Sequence, residues 1–322
     1  MRFLFDKIKF IFGLFSFVML MSCSTQHPPT MRIGANHWLG YGTLYLADDL
    51  DWLRKDNLKL IEFPASTELI YAMRTGVIEA AALTLDEVLT LVQDGVKLKV
   101  ILIFDTSHGG DALIAHHTIH NLADLKNKKI GVENTAVGAI MLSRALEQVN
   151  LTPSDVNIVP LTADEHVSAF ESHAVDAIVT FEPIKTQLLA KKNAKILFDS
   201  SSIPNTIIDV LAVREDFLEK HPNSVKNALK LHFDALNYLR QNRQDAHRRL
   251  ADRMLASEVE LREGLSGILI PDLKTNHQFL DQKNYILDTK IKLLTQIMLQ
   301  KRLLVRSVNT DSLLTTEYLP PL

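Results

Sequence analysis

From Met31 onward, short segments in which apolar residues alternate with polar ones are followed by segments in which apolar residues recur every three or four positions. The first spacing predicts β-strands and the second predicts amphipathic α-helices. Strands are predicted over 31–35, 58–63, 80–83, 98–104, 112–115, 129–132, 156–159, 176–180, 194–198 and 208–213. Helices are predicted over 43–52, 68–74, 84–95, 138–149, 162–174, 223–242 and 288–303, with another opening at 182–183. Short strand–helix units of this kind favour mainly parallel sheets with helices on both faces.

Two segments carry the pattern of a capping box, in which a Thr and a Glu three residues later exchange hydrogen bonds at a helix N-terminus. They are Thr84-Leu-Asp-Glu87 and Thr162-Ala-Asp-Glu165. Each predicts that a helix begins directly after its Thr.

The strand–helix series stops near residue 104 and restarts near residue 112, which indicates two sheets. A chain of 322 residues is also longer than one ordinary domain core needs. We therefore predict an α/β clamshell of two lobes, each a mainly parallel sheet flanked by helices. The predicted crossovers lie near 106–112 and 200–207. Lobe 1 then comprises 31–110 and 207–322, and lobe 2 comprises 111–206.

The N-terminal segment has the pattern of a targeting signal. Basic residues precede an apolar run over 10–21 that is too short to cross a bilayer comfortably. The run ends in Leu-Met-Ser-Cys at 20–23, which resembles the bacterial lipobox. We predict a signal peptide over 1–22, lipidation of Cys23 and a polar tether that runs to residue 30. An uncleaved anchor, or an ordinary signal peptide with a buried Cys nearby, is the alternative.

Composition narrows the function classes further. The net charge of −3 leaves no basic surplus for a phosphate backbone, so no nucleic-acid partner is expected. The single cysteine, Cys23, excludes intrachain disulfides, Cys-ligated zinc and iron–sulfur clusters. His116 and His120 have an i,i+4 spacing, but they fall on a strand end and a loop rather than on one helix. We predict no metal and no cofactor.

In open α/β sheets, ligands bind beyond the carboxyl ends of the strands. Two such sheets that face each other create a cleft for a small solute. The strand-end loops therefore supply the predicted ligand-binding residues: Trp38, Tyr41, Ser66, Thr84, Asp86, Ser107, His108, Asn134, Thr135, Glu182 and Asp209.

These candidates point to two different ligand chemistries. Trp38 and Tyr41 can stack on a planar solute. Asn134 and Thr135 precede a predicted helix, whose N-terminus favours an anionic or polar group. Acidic residues at the strand ends favour a cation or an N–H donor if they face the cleft, and are without consequence for the ligand if they cap helices or pair with Lys and Arg elsewhere. These acids are Asp86, Asp105, Asp111, Glu133, Glu182 and Asp209.

Five segments also carry a family resemblance: WLGYGTLYLA at 38–47, DTSHGGDA at 105–112, DLKNKKIGVE at 124–133, VDAIVTFEP at 175–183 and DVLAVREDF at 209–217. In order and spacing they resemble the nitrate/sulfonate/taurine and thiamine-precursor (pyrimidine) substrate-binding proteins of bacterial ABC transporters. The resemblance implies a type II periplasmic-binding-protein fold that closes on its ligand. Sulfonate binders of the family usually have a Gly-Ser-Thr type turn where this chain has Glu133-Asn134-Thr135, a departure that argues against a sulfonate.

The expected function is that of a monomeric substrate-binding lipoprotein on the periplasmic face of the inner or outer membrane. It captures a small polar or heteroaromatic solute, thiamine-precursor-like or nitrate/sulfonate-like, and delivers it to an ABC permease and ATPase. The first alternative is a sensory lipoprotein that presents its solute to a membrane receptor. An enzyme of the same fold is a remote alternative, because no pairing of a nucleophile with a base is visible. We predict no enzymatic activity.

Overall fold

The structure is a computed structural model that describes residues 29–191 and 193–322. The predicted signal peptide and Cys23 therefore lie outside the described residues. The strands are β1 (Met31–Asn36), β2 (Leu58–Phe63), β3 (Ala80–Thr84), β4 (Leu98–Ser107), β5 (Asp111–His116), β6 (Lys129–Val132), β7 (Asn157–Pro160), β8 (Ala177–Phe181), β9 (Ala194–Asp199), β10 (Ile208–Arg214) and β11 (Ile268–Leu269).

The two longest α-helices, of 20 and 15 residues, lie in the C-terminal third of the chain. Thirteen α-helices form in the described residues. They are α1 (Gly42–Asp49), α2 (Trp52–Lys55), α3 (Ser66–Thr75), α4 (Leu85–Gln93), α5 (Ala136–Glu147), α6 (His166–Glu171), α7 (Ile184–Leu189), α8 (Glu215–Lys220), α9 (Pro222–Gln241), α10 (Arg243–Arg253), α11 (Glu258–Leu265), α12 (Leu273–Leu280) and α13 (Ile286–Gln300).

The strands form two mixed sheets, each with helices against it. The six-stranded sheet has the order β11-β4-β10-β3-β1-β2 and the five-stranded sheet has the order β7-β6-β8-β5-β9. We call the parts of the molecule around them the first and the second lobe. Strands β1 to β4 share one direction, and β10 runs antiparallel between β3 and β4. In the second sheet β5 is the reversed strand, between β8 and β9.

Besides the short edge strand β11, which is antiparallel to β4, the reversed strands are β5 and β10, the first strands that the chain forms after each passage between the sheets. Strand β5 follows β4 into the second sheet, and β10 follows β9 back into the first. A reversed strand presents its beginning where its neighbours present their ends. Asp111 at the start of β5 and Asp209 near the start of β10 therefore lie level with the carboxyl ends of the other strands.

The second lobe shows how alternation along a strand builds two cores. Leu113 and Ala115 of β5 enter a cluster on one face of the sheet, while Ala112 and Ile114 enter a cluster on the other face. This is the period of two that places successive side chains on opposite faces. The first lobe has one larger cluster, which also takes in Ile140 of α5 from the second lobe.

The predicted two-sheet α/β architecture is confirmed, with antiparallel strands inserted in both sheets. The predicted helix over 43–52 is wrong as a single helix: α1 ends at Asp49, and Asp51 has a left-handed backbone (φ 61°) before α2 begins at Trp52. The limits of the two predicted domains stay a prediction.

Candidate functional site

A cavity lies between the two lobes, at the strand ends that face each other. Residues of both lobes line it, so a solute bound there would contact both. Six of the predicted contact residues line it: Trp38, Tyr41, Ser66, Thr84, Thr135 and Asp209. The lining also includes residues that were not among the predicted contacts, notably Asn36, Glu87, Asp111, Glu133, His166 and Phe181.

One wall of the cavity is aromatic. The Trp38 ring is 4% exposed and meets Phe181 edge-on, with 6.1 Å between ring centroids. Its indole Nε1–H donates to Oδ2 of Asp105 at 3.0 Å, which fixes the orientation of the ring. Gly40 makes this contact feasible, because a Cβ atom at that position would lie 1.8 Å from the same carboxylate oxygen. Trp38 is thus held rigidly by the first lobe while it faces the second.

Behind this wall two buried acids lie side by side on neighbouring strands. Asp105 and Asp209 are register partners on β4 and β10, and the Tyr41 hydroxyl donates to Oδ1 of Asp209 at 2.5 Å. Burial raises the pKa of Asp105 to about 8 and raises that of Asp209 well above its usual range. The nearby negative charge of Asp105 raises the pKa of Asp209 further. The pair therefore tends to retain a proton at neutral pH.

Two carboxylates cross the cleft and lie at helix N-termini in the opposite lobe. Glu133 of the second lobe accepts the backbone N–H of Ser66 at 3.0 Å and that of Thr67, at the start of α3. The backbone N–H of Val137, at the start of α5, lies near the carboxylate of Asp86 in the first lobe and favours its charged form, although Oδ2 of Asp86 has no hydrogen-bond partner. Each carboxylate thus lies where a helix of the other lobe has N–H groups without intrahelical partners. Burial nevertheless raises the pKa of Glu133 to about 7 and that of Asp86 to about 6.

Asp111 contributes a further carboxylate to the cavity. It is 5% exposed, its Oδ2 has no hydrogen-bond partner, and burial raises its pKa to about 7. The ammonium of Lys185 acts on it from a distance, but Lys185 is bonded to Oε1 of Glu182 and to the carbonyl oxygen of Gly109, each at 2.8 Å. Glu182 also accepts from Thr186, so it is fully engaged inside the second lobe.

Two other buried side chains present unpaired polar atoms at the cavity. Asn36 donates to the hydroxyl oxygen of Ser66 at 2.9 Å, while its Oδ1 has no partner. His166 bonds Thr180 through Nδ1 at 3.0 Å, and its Nε2 has no partner. Burial lowers the pKa of His166 to about 4, so the ring is neutral at physiological pH.

The other five predicted contact residues lie away from the lining. Asp86 is buried just behind it, against the start of α5, and Glu182 is paired with Lys185. Ser107 belongs to the crossover, where its hydroxyl bonds Ser200 at 2.8 Å. His108 and Asn134 are exposed. Contact of any of the eleven residues with a ligand stays a prediction.

The lining residues outside the eleven predicted contacts differ in how visible they are in the sequence. Asp111 and Glu133 were predicted only as strand-end acids, and Asn36 is the last residue of β1. Glu87 was interpreted only as part of its capping box. That role accounts for the residue without any contact to a ligand. His166 follows the strand end of β7 across the second capping box, so the strand-end rule applied to β7 would have included it.

Solved structures place this architecture in a known class, the periplasmic-binding-protein fold. The periplasmic aliphatic sulphonate binding protein SsuA from Escherichia coli matches with a TM-score of 0.71 and 19% identity, over 89% of this chain and 98% of that chain. The desulfurization enzyme DSZB matches with a TM-score of 0.67 and 17% identity, over 90% and 97%. At these identities the likeness concerns the fold alone, and the fold serves binding proteins and an enzyme alike.

The chain belongs to the NMT1-like family, whose profile matches residues 24–255. Among relatives, the taurine-binding periplasmic protein of Escherichia coli (strain K12) is 27% identical over 177 residues, 54% of this chain and 55% of that protein. A putative aliphatic sulfonates-binding protein of Bacillus subtilis (strain 168) is 31% identical over 202 residues, 60% of this chain and 58% of that protein. This chain thus matches less than two thirds of the length of either relative.

Proposed function

We propose that this protein is the substrate-binding component of an ABC importer, which captures a small solute between its lobes and delivers it to a permease. The observation that carries the proposal is the cavity itself. It lies between two sheets at their facing strand ends and is lined by an aromatic wall and several unpaired polar atoms. Such a cavity is typical of a binding site that closes around its ligand.

The relatives support the same class of function. They include a taurine-binding periplasmic protein and a putative aliphatic sulfonates-binding protein. In this proposal the crossovers near 106–112 and 200–207 act as the hinge between the two predicted lobes. Trp38, Tyr41, Ser66, Thr84, Thr135 and Asp209 are then the contact residues, because they line the cavity.

We further propose that the mature chain is a monomer held at the periplasmic face of the membrane by lipid on Cys23. None of the described helices is both long and apolar enough to span a bilayer. Two or three acyl chains anchor a protein firmly, since each buried CH₂ contributes about 0.8 kcal/mol. Cells grown with radiolabelled palmitate should label the wild-type protein, and Cys23→Ser should remove the label and release the protein from the membrane fraction.

The central test measures whether solutes close and stabilise the protein. The full chain, purified in detergent and stripped of bound ligand by unfolding and refolding, is melted against a panel of amines, sulfonates, nitrate and pyrimidines. A solute at one hundred times its Kd adds about 2.7 kcal/mol, which raises the melting temperature by several degrees. A refolded protein that responds to no solute of the panel would contradict the proposed function. Turnover of a bound solute, followed by mass spectrometry, would instead favour an enzyme.

A further inference from the structure

The ionisable side chains that face the cavity are acids, apart from Tyr41 and His166. Four of its lining residues carry carboxyl groups: Glu87, Asp111, Glu133 and Asp209. Among the described residues that line it there is no Lys or Arg, and His166 is neutral at physiological pH because burial lowers its pKa to about 4. A buried anion without a compensating cation costs several kcal/mol, so a bound sulfonate would meet desolvation and like-charge repulsion together.

The positions that could compensate an anion are already occupied. A helix N-terminus is a ready-made anion site, and two of them face this cleft. Glu133 accepts the N–H of Ser66 at the N-terminus of α3, and the carboxylate of Asp86 lies near the N–H of Val137 at the N-terminus of α5. The protein's own carboxylates therefore stand where an anionic ligand would bind.

Two of the unpaired atoms at the cavity are acceptors that a cationic donor could satisfy, besides Oγ1 of Thr84 and Nε2 of His166, which can donate or accept. Oδ1 of Asn36 and Oδ2 of Asp111 are buried, belong to lining residues, and have no hydrogen bond. Such atoms cost free energy unless a ligand donates to them. The rings of Trp38 and Phe181 present aromatic surface beside them, which attracts a cation placed over a ring face.

We propose that the cavity binds a compact organic cation, an ammonium or amidinium whose N–H groups donate to Asp111 and Asn36, and that it rejects sulfonates and nitrate. The inference rests on the proposed function, because it names the substrate class of that same site. Asp111 supplies the counter-charge, Asn36 accepts a second N–H, and Trp38 forms the wall. Glu133 and Asp86 exclude anions by occupying the two helix N-termini.

Pairs of probes with the same apolar group and opposite charge test the preference for a cation directly. The refolded full chain is titrated calorimetrically at pH 7.5 with butylamine and butanesulfonate, then with benzamidine and benzenesulfonate, and with taurine as a zwitterion. We expect the cation of each pair to bind at least tenfold more tightly than its sulfonate. Tighter binding of the sulfonates would overturn the cation assignment and leave the proposed function intact. Binding of no probe, by protein whose circular dichroism shows a native fold, would overturn both.

One substitution separates the role of Asp111 from a general charge effect. Asp111→Asn keeps the shape and removes the charge, so we expect benzamidine to bind at least tenfold more weakly while benzenesulfonate binds no more weakly than before. The matched control is Glu171→Gln, an exposed acid paired with Lys191 outside the cavity, and it should leave both affinities unchanged. Unchanged benzamidine affinity in Asp111→Asn would overturn the assignment. If that variant fails to fold, the wild-type charge series still decides the question.

Discussion

The two capping boxes have the same sequence pattern and the same hydrogen bond, yet they lie in opposite environments. The backbone N–H of Thr84 donates to Oε2 of Glu87 at 3.0 Å, and that of Thr162 donates to Oε2 of Glu165 at 2.8 Å. Glu87 is 4% exposed beside the cavity, whereas Glu165 lies at the surface.

Their ionisation differs accordingly. Burial, with the charge of Asp86 next to it, raises the pKa of Glu87 to about 8. The hydrogen bonds from Thr162 lower the pKa of Glu165, because desolvation at this exposed position is too small to outweigh them. Local sequence thus determines the hydrogen bonds of a helix cap, while the surrounding tertiary structure determines whether the cap carries a charge.

The largest expected effect of this difference is on the stability of the ligand-free wild-type protein. Burial raises the pKa values of Glu87 and Asp105 to about 8 and those of Asp111 and Glu133 to about 7. An acid whose pKa is higher when folded binds more protons in the folded state, so the free energy of unfolding falls as pH rises through that window. At about 1.4 kcal/mol per pKa unit, we expect a fall on the order of 4 kcal/mol between pH 6.5 and 9.

Urea unfolding at several pH values measures this fall. The buried rings of His166 and His232, whose pKa values burial lowers, act in the opposite sense between about pH 6.5 and 7.5, where the unfolded imidazoles lose their remaining protons, and they offset a small part of the fall. A free energy of unfolding that stays level or rises between pH 6.5 and 9 would show that the cleft acids are ionised and compensated without a ligand.

The next largest effect is expected when only the buried capping box, Thr84–Glu87, is changed. Glu87→Gln retains an oxygen that accepts the N–H of Thr84 but cannot carry a negative charge. Because the folded wild-type carboxyl loses its proton over this range, we expect the variant to gain on the order of 1–3 kcal/mol of stability relative to the wild type between pH 6.5 and pH 9. Urea unfolding at the two pH values gives the difference. An equal loss of stability at both would mean that the carboxylate form is required by the cap.

The smallest effect is expected for the corresponding change in the exposed box. Glu165→Gln also retains the accepting oxygen, and it loses only a favourable, solvent-screened interaction with the helix N-terminus. We expect a slight loss of stability that is the same at pH 6.5 and at pH 9, measured by the same unfolding experiment. A gain at pH 9 like that of Glu87→Gln would contradict the contrast between the two boxes.

Much of the fold could be predicted because it depends on local patterns. The alternation in Leu58–Phe63 and the apolar spacing in Pro222–Gln241 are visible in the sequence, and both elements form with nearly the predicted limits. The break at Asp51 could not be predicted from that spacing, because a single left-handed residue leaves the apolar pattern almost unchanged.

The candidate site was predicted less completely, for a physical reason. The strand-end rule finds loops, but it does not say which side chain of a loop faces inward. Ser107 and His108 were predicted in the loop after a strand over 98–104, but the structure extends β4 to Ser107, whose hydroxyl bonds Ser200, and leaves His108 exposed. Glu133 faces inward only because the start of α3, which is distant in sequence, offers it two N–H groups.

The paired carboxylates that cross the cleft also bear on how fast a solute can enter. Glu133 accepts the N–H of Ser66 at the start of α3, and Asp86 lies against the start of α5, so these contacts link the two lobes across the cleft. While they hold, a solute must wait for a spontaneous opening, so the observed rate of uptake should level off at high solute concentration instead of rising without limit. The same bonds slow escape once the solute is inside. Such a protein gains long residence at the expense of rapid exchange, which suits scarce solutes better than abundant ones.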